Sequence, residues 1–519
     1  MAGRPNTDVS SVTDVDVLVV GAGPTGLTAA CEAIRHGLTV RIVDRKACRS
    51  SFSKALVVHA RTMEIFEAIG IADQILAEGA RFAALNVHTS RRRPVRVDLL
   101  AQPWGDTAYP FWLSIPQFIT EQVLEGHLKA AGAEVEWGVT FADAHDDGRR
   151  VQVGLERSDG LRETVRARWL VGCDGGRSPV RDAANLKLRR SDTGATFVLA
   201  DVKTTAILPQ DEGHGFLSPE GLLLIVPMPE RARWRIIAHV PEAEPGMPID
   251  ISEGFLDDLI RRRSGTDFGC HDLTWKSEFQ LSQGLADRYR SGRIFLAGDA
   301  AHIHSPVGGQ GLNTGVQDAH NLMWKLAAAR HMPELQADDL LDSYESERRP
   351  VARAMVRGTA RATRVLTARG ALIRELRGLV APTILARSFV QARFGRGVGM
   401  LEIAYGRDST PAGTARGALT GCRMPNPCLG AGGRLYDRLA PLGFTWVVFE
   451  GSGMTRPDVS DPRWLGIPVV FVPSSNLEKI SGPIGLASVV LVRPDRYIAA
   501  AGETPEAVLL RPPMDASSA

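Results

Sequence analysis

A chain of 519 residues with 44% apolar and 23% charged side chains is globular in composition and too long for one simple core, so two or three domains are expected. A net charge of +2 argues against a nucleic-acid binder and against a polybasic membrane face. Six scattered cysteines without a CxxC pair fit a reducing cytoplasm, and the polar start and broken apolar runs give neither a signal peptide nor a membrane span.

Val15–Val20 reads as a short buried strand ended by glycine. The turn Gly21-Ala22-Gly23-Pro24-Thr25-Gly26 follows, then a helix Leu27–His36 stopped by Gly37, then a second apolar strand Leu38–Val43 closed by Asp44. Gly21 permits the tight turn, Gly23 lets the backbone approach a pyrophosphate, and Gly26 lets helix and strand pack closely. Free amides at the helix start, with the helix dipole behind them, face the phosphates, and Asp44 can accept hydrogen bonds from a ribose diol. The spacing alone is weak in a chain with 52 glycines; the strand–helix–strand context makes it a dinucleotide site, for NAD or for FAD.

Phe82–Pro110 is expected to join a second layer, and Thr120–Ala130 to be a helix. Trp169–Val171 is a strand running into Gly172-Cys173-Asp174-Gly175-Gly176-Arg177-Ser178, and Ile294–Ala297 is another, ending in Gly298-Asp299. Both aspartates stand where an open parallel sheet binds ligands, and each could equally cap the turn that follows. Between them, apolar runs Leu222–Val226 and Trp234–Val240 flank a turn and read as a β-sheet layered on the nucleotide domain. Trp104, Trp112, His214, Phe216 and Trp234 are the candidate substrate-pocket residues, each also suited to core packing.

Ser305-Pro306-Val307-Gly308-Gly309-Gln310-Gly311-Leu312-Asn313 leads into a helix reaching about Ala328, with Leu312, Val316, Met323 and Ala327 on one apolar face. Its bare first-turn amides suit negative charge on a flavin ring, whose surroundings would be Pro306, Gly309 and Gly311. His302 and His304 lack acidic or Cys partners and read as structural, so no metal is expected. Helices are expected over Asp342–Arg396, and strands at Phe444–Phe449, Gly466–Val472 and Ala487–Val492.

GAGPTG with Asp44-Arg45, LVGCDGGRSPVR, and GDAAHIHSPVGGQGLNTGVQDAHNLMWKL together resemble the fingerprints of the single-component FAD-dependent aromatic hydroxylases, phenol-type and polyketide-tailoring monooxygenases. The resemblance implies an α/β fold: a Rossmann-like FAD-binding domain (1–81, 111–185, 281–341), a β-sheet substrate domain layered on it (82–110, 186–280), connecting helices (342–405), and a thioredoxin-like α/β C-terminal domain (406–519). It implies non-covalent FAD held by Gly21, Gly23, Pro24, Thr25, Gly26, Asp44, Arg45, Arg61, Gln117, Gly298, Asp299 and Pro306, with Gly309, Gln310, Gly311, Leu312 and Asn313 at the ring. Asp174 and Gly175 would lie near FAD and the NAD(P)H approach. Lys54 stands where many members carry Arg, which keeps the charge and loses the bidentate fork. Near the C-terminus Arg493-Pro494-Asp495 matches the family's motif, with Arg496 in place of the usual glycine. Without a CxxC, this end is expected to pack or dimerise rather than do redox chemistry. The implied reaction is NAD(P)H- and O2-dependent hydroxylation of an aromatic or polyketide-like substrate through a flavin hydroperoxide, in a cytoplasmic protein that could form a homodimer. The alternatives are a flavin oxidase or reductase and a non-catalytic FAD-containing ligand binder; a flavin-dependent halogenase would show a WxWxIP motif, which is absent.

Overall fold

The computed structural model describes residues 13–52, 55–89, 92–100, 104–241, 247–304, 308–367, 383–406, 419–430, 433–449, 464–472, 488–505 and 508. Strand Thr13–Val20 lies inside a sheet in which Ile294–Leu296, Arg162–Gly172, Thr13–Val20, Val40–Asp44 and Val135–Trp137 run parallel in that order. A strand covered on both faces needs an unbroken apolar run, and Val17, Leu18 and Val19 are all fully buried. Helix α1 (Pro24–Arg35) returns the chain across this sheet, α2 (Ala60–Ile69) follows, and α3 (Gln117–Ala130) packs beside α1. Helix α1 begins three residues earlier than the apolar pattern suggests, because Pro24 suits the first helical position, where no amide hydrogen is needed.

The second sheet is antiparallel except at one pairing, and its central order is Cys270–Ala286, Leu188–Thr204, Arg233–His239, Gly221–Pro227, Glu212–Ser218, Ala84–Thr89. Ala84–Thr89 enters this layer through its parallel pairing with Glu212–Ser218, and Arg92–Asp98 pairs with it in turn, whereas Ala80–Phe82 belongs to a separate three-stranded sheet. One sheet face is covered by α4 (Glu253–Ser264), whose Leu256, Leu259 and Ile260 pack on Val198, Ala200, Leu223, Ile225, Trp234 and Ile236. The opposite face carries Phe197, Leu222, Leu224, Ile237 and Leu281.

Helix α5 (Gly311–Ala329) packs on α1, and α6 (Glu334–Thr367) packs on α5. Helix α7 (Ser388–Val398) precedes a four-stranded sheet ordered Val469–Val472, Thr445–Phe449, Val489–Val492, Ile498–Gly502. That sheet rests on α5 and α6 through Trp324 and Leu340 against Phe444, Trp446 and Leu491. The contact is also ionic: Arg493 reaches Glu347 at 2.6 Å, Lys325 reaches the same carboxylate at 2.8 Å, and Arg423 joins Glu64 at 3.0 Å to Asp106 at 2.7 Å. Arg496 has φ +65°, so the departure from glycine puts a side chain in the left-handed region, at a cost of about 1 kcal/mol. Among the described residues no helix is long and apolar enough to cross a membrane.

Candidate functional site

The first strand ends in Gly21, whose amide bonds Val43 O at 2.8 Å and whose φ is +104°. A Cβ there would lie 2.4 Å from Cys173 O, and one at Gly26 would lie 1.8 Å from Gly21 O, so both positions admit only glycine. Gly23 is different. A Cβ at Gly23 would meet nothing within 4 Å, and Gly23 caps α1 with no side chain on the helix end. The open ground in front of Gly23 and the bare first-turn amides form a cradle of the kind a pyrophosphate fills. Asp44 is fixed beside it, its two oxygens accepting from Ala22 N at 2.8 Å and Lys46 N at 2.9 Å. Arg45 is exposed and its side chain has no partner among the described residues.

Thr25 joins this turn to the third motif: a Cβ on Gly298 would lie 2.6 Å, and one on Gly315 2.1 Å, from Thr25 Oγ1. Asp299 follows on a 3-10 turn, exposed and without a partner among the described residues, free to take hydroxyl donors. Asp174 accepts from Val180 N at 3.0 Å, which is the capping role, while its Oδ1 is buried without a partner and burial raises its pKa. Gly175 beside it has φ +83°. His302 donates from Nε2 to Asp318 at 2.6 Å, and Asp318 also accepts from Gly298 N at 3.1 Å and Arg348 Nε at 2.7 Å. This histidine is therefore structural, and among the described residues no group of three or more His, Cys, Asp or Glu side chains could hold a metal.

Gly308 and Gly309 have φ of +84° and +62°, and α5 begins at Gly311 with no side-chain cap at Gln310 and no acid in its first turn. Leu312 is half-buried there. Asn313, fully buried, fastens this segment to the strand before α2: its Nδ2 donates to Val57 O at 2.9 Å and Gly309 O at 2.7 Å, and its Oδ1 accepts from His59 N at 2.9 Å. His59 Nε2 lies 2.8 Å from Gly308 O and must carry its proton there, and burial lowers the ring's pKa to about 4, so the imidazole is neutral. Trp112 stands edge-on to His59 at 5.4 Å, with Phe82 at 5.8 Å and Phe394 at 6.0 Å from it. An aromatic wall therefore adjoins the glycine segment.

Of the expected pocket residues, only Trp112 is in this wall. Trp234, His214 and Phe216 share the sheet face that α4 covers, with the His214 and Trp234 rings 6.4 Å apart and Phe216 packed on the same cluster. Side chains alternate along a strand, so the neighbour Arg235 points the other way; it pairs with Asp201 at 2.7 Å and reaches Ala55 O at 3.4 Å. Trp104 is core: its Nε1 donates to Leu99 O at 2.8 Å, and a Cβ on Gly399 would lie 2.9 Å from its ring. Arg61 is buried, its guanidinium against Glu64 at 2.9 Å and Asp495 O at 2.6 Å, which ties α2 to the C-terminal segment. Gln117 opens α3 and donates to Glu121 at 2.8 Å. Lys54 and Pro306 lie outside the described residues. The sequence reading missed His59 and Arg235; the alternation of Trp234-Arg235-Ile236-Ile237 could have pointed to Arg235, and nothing local marks His59.

Residues 14–359 match the FAD binding domain family. The chain is 36% identical over 465 residues to the 6-methylpretetramide 4-monooxygenase of Streptomyces rimosus, covering 86% of this chain and 78% of the relative. It superposes on the anhydrotetracycline hydroxylase structure from Streptomyces rimosus with a TM-score of 0.73 at 30% identity, covering 95% of this chain and 96% of that one. A Diels–Alderase from pyrroindomycin biosynthesis also superposes, with a TM-score of 0.73 at 27% identity over 94% of this chain and 96% of that one.

Proposed function

We propose, for a chain that belongs to the FAD-binding family of single-component flavin-dependent aromatic hydroxylases, that it hydroxylates a fused-ring, polyketide-like aromatic with NAD(P)H and O2. The observation that carries this reading is the linkage of two uncapped helix starts, α1 and α5, through Thr25 packed under Gly298 and Gly315, with Asp44 and Asp299 offering carboxylates beside them. Bound there, FAD supplies hydride acceptance and oxygen activation. The residues would divide the work of holding it. The Gly23 cradle takes the pyrophosphate, Asp44 the ribose and Asp299 the ribityl hydroxyls, and the α5 amides stabilise negative charge at the ring. Trp112, Phe82 and Phe394 supply the apolar surface that orients an aromatic substrate and excludes water.

A cleft of about 500 Å³ lined by Arg177, Arg181, Lys187 and Arg190, with the acid Asp182 also in its lining, adjoins the turn at Gly175, and Arg181 donates to Gly176 O at 3.2 Å. Its charge suits the diphosphate of NAD(P)H and supports approach of the reductant from this side. The strand order of the C-terminal sheet, with Thr445–Phe449 parallel to Val469–Val472 and antiparallel to Val489–Val492, supports a thioredoxin-like arrangement. Its apolar and ionic seating on α5 and α6 supports a packing role.

The likeness to a Diels–Alderase favours a second reading, an FAD-bearing protein that shapes a polyketide without oxidising it. Steady-state oxidation of NADPH and NADH, with peroxide recorded, separates the two across a panel of phenols and fused-ring aromatics. The hydroxylase reading expects one aromatic to accelerate oxidation while peroxide falls short of the NAD(P)H consumed. Substrate conversion that proceeds equally without NAD(P)H would overturn it in favour of the second.

A further inference from the structure

Helix α5 is 19 residues long, about 28 Å, and its far end carries a second basic cleft. This cleft has a volume of about 370 Å³ and its lining includes Arg149, Arg150, Arg168, Arg293 and Trp169, the apolar Met332 and Leu341, and the acids Glu334 and Asp338. Its charge is poorly compensated. The guanidinium groups of Arg149 and Arg150 have no partner among the described residues. Arg168 donates only to a neutral carbonyl, Arg330 O, at 3.1 Å, and Arg293 to Gly148 O at 2.8 Å. Of the two lining acids, Glu334 forms a long ion pair with Arg293 at 3.7 Å and Asp338 is bound to Arg290, while the Arg168 guanidinium lies over the Trp169 ring at 4.7 Å. Burial, with Arg293, Arg330 and Arg150 nearby and Asp16 opposing, lowers the Arg168 pKa.

A second observation is independent of the charge. Trp169 is 1% exposed, lines the cleft, and its indole N–H has no acceptor among the described residues. A buried donor without a partner is destabilising unless something accepts from it. The group that suits an orphan N–H in a cleft lined by four arginines is an oxyanion, and the apolar lining accommodates a short hydrocarbon body.

We infer that this cleft binds a small phosphate- or carboxylate-headed molecule with a short apolar body, at a site separate from those of flavin, substrate and reductant. The ligand's head sits among Arg150, Arg168 and the Trp169 N–H, and its body lies against Met332 and Leu341.

Calorimetric titration of the FAD-loaded protein at low salt tests this, using inorganic pyrophosphate and hexanoate as separate probes. Saturable binding of at least one probe is expected, and which one binds identifies the head group. Arg168→Gln and Arg150→Gln should each weaken it about tenfold or more, and Trp169→Phe about threefold. Arg190→Gln, in the other basic cleft, should leave it unchanged. Arg150 follows a hairpin turn, so its replacement spares the core. The inference is overturned if neither probe saturates, if affinity survives both arginine replacements, or if Arg190→Gln removes it.

Discussion

Asn313 and His59, 254 residues apart in the chain, are joined by a hydrogen bond of 2.9 Å from the His59 amide to Asn313 Oδ1. The same amide side chain donates to Val57 O and Gly309 O, so one buried residue holds the glycine segment against the entry to α2. Asn313→Ala leaves a buried amide and two carbonyls unpaired, at about 1–3 kcal/mol each. If the segment forms the floor of the flavin site, FAD affinity falls about tenfold or more, beyond a fall of several degrees in the melting temperature of the apoprotein. Equilibrium dialysis of FAD reads the effect; unchanged affinity would remove the segment from the site.

The two glycines of the first turn should respond in opposite ways. A methyl at Gly26 meets Gly21 O at 1.8 Å and forces the backbone apart, so Gly26→Ala is expected to destabilise the apoprotein by about 2–3 kcal/mol. Gly23→Ala meets no protein atom within 4 Å and should melt like the parent, yet bind FAD about tenfold more weakly because the methyl stands where the pyrophosphate approaches. Denaturation of the apoproteins, followed by FAD titration, separates the two. A Gly23→Ala protein with parental affinity would contradict the assignment.

The C-terminal sheet is held by buried charge. Burial alone would raise the Glu347 pKa, but Arg493 and Lys325 more than offset it and hold the group well below the ordinary carboxylate range. Glu347→Gln leaves two buried cations undercompensated and should cost about 3–5 kcal/mol, read as a lower denaturant midpoint. A midpoint unchanged from the parent would mean that the ionic contact is dispensable.

Stability should fall on mild acidification. Burial lowers His59 and His36 from 6.5 to about 4, so below pH 6.5 the unfolded chain takes up protons that the folded chain refuses. Their contribution is complete above pH 6.5 and is lost as pH falls toward 4, at up to about 1.4 kcal/mol per pH unit for each. Urea midpoints measured from pH 8 to pH 5 should be flat at the top and decline below 6.5. A flat profile throughout would show both rings protonated in the native state.

What could be read in the sequence follows from how local each constraint is. The Gly21–Gly26 turn and Asp44 were legible because helix, strand and phosphate requirements fall within one short segment. The buried face of the second sheet was not. Trp234 and Ile236 pack under α4 while Ile237 faces the other way, and apolar residues on both faces erase the alternation that would orient the strand. The contact of Arg61 with Asp495 was not legible for a different reason: the two residues are 434 positions apart, and no local pattern marks a packing cation. Three strands of the C-terminal sheet were legible as apolar runs, but the short Ile498–Gly502 strand and the seating of the sheet on α5 through Trp324 were not.

The most direct test of the central claim is the source of oxygen in the product. Once an accelerating aromatic is found, turnover with NAD(P)H under oxygen-18 gas, followed by mass spectrometry, should show one heavy oxygen in each hydroxylated molecule. A product that carries oxygen from water, or none gained at all, would contradict a monooxygenase.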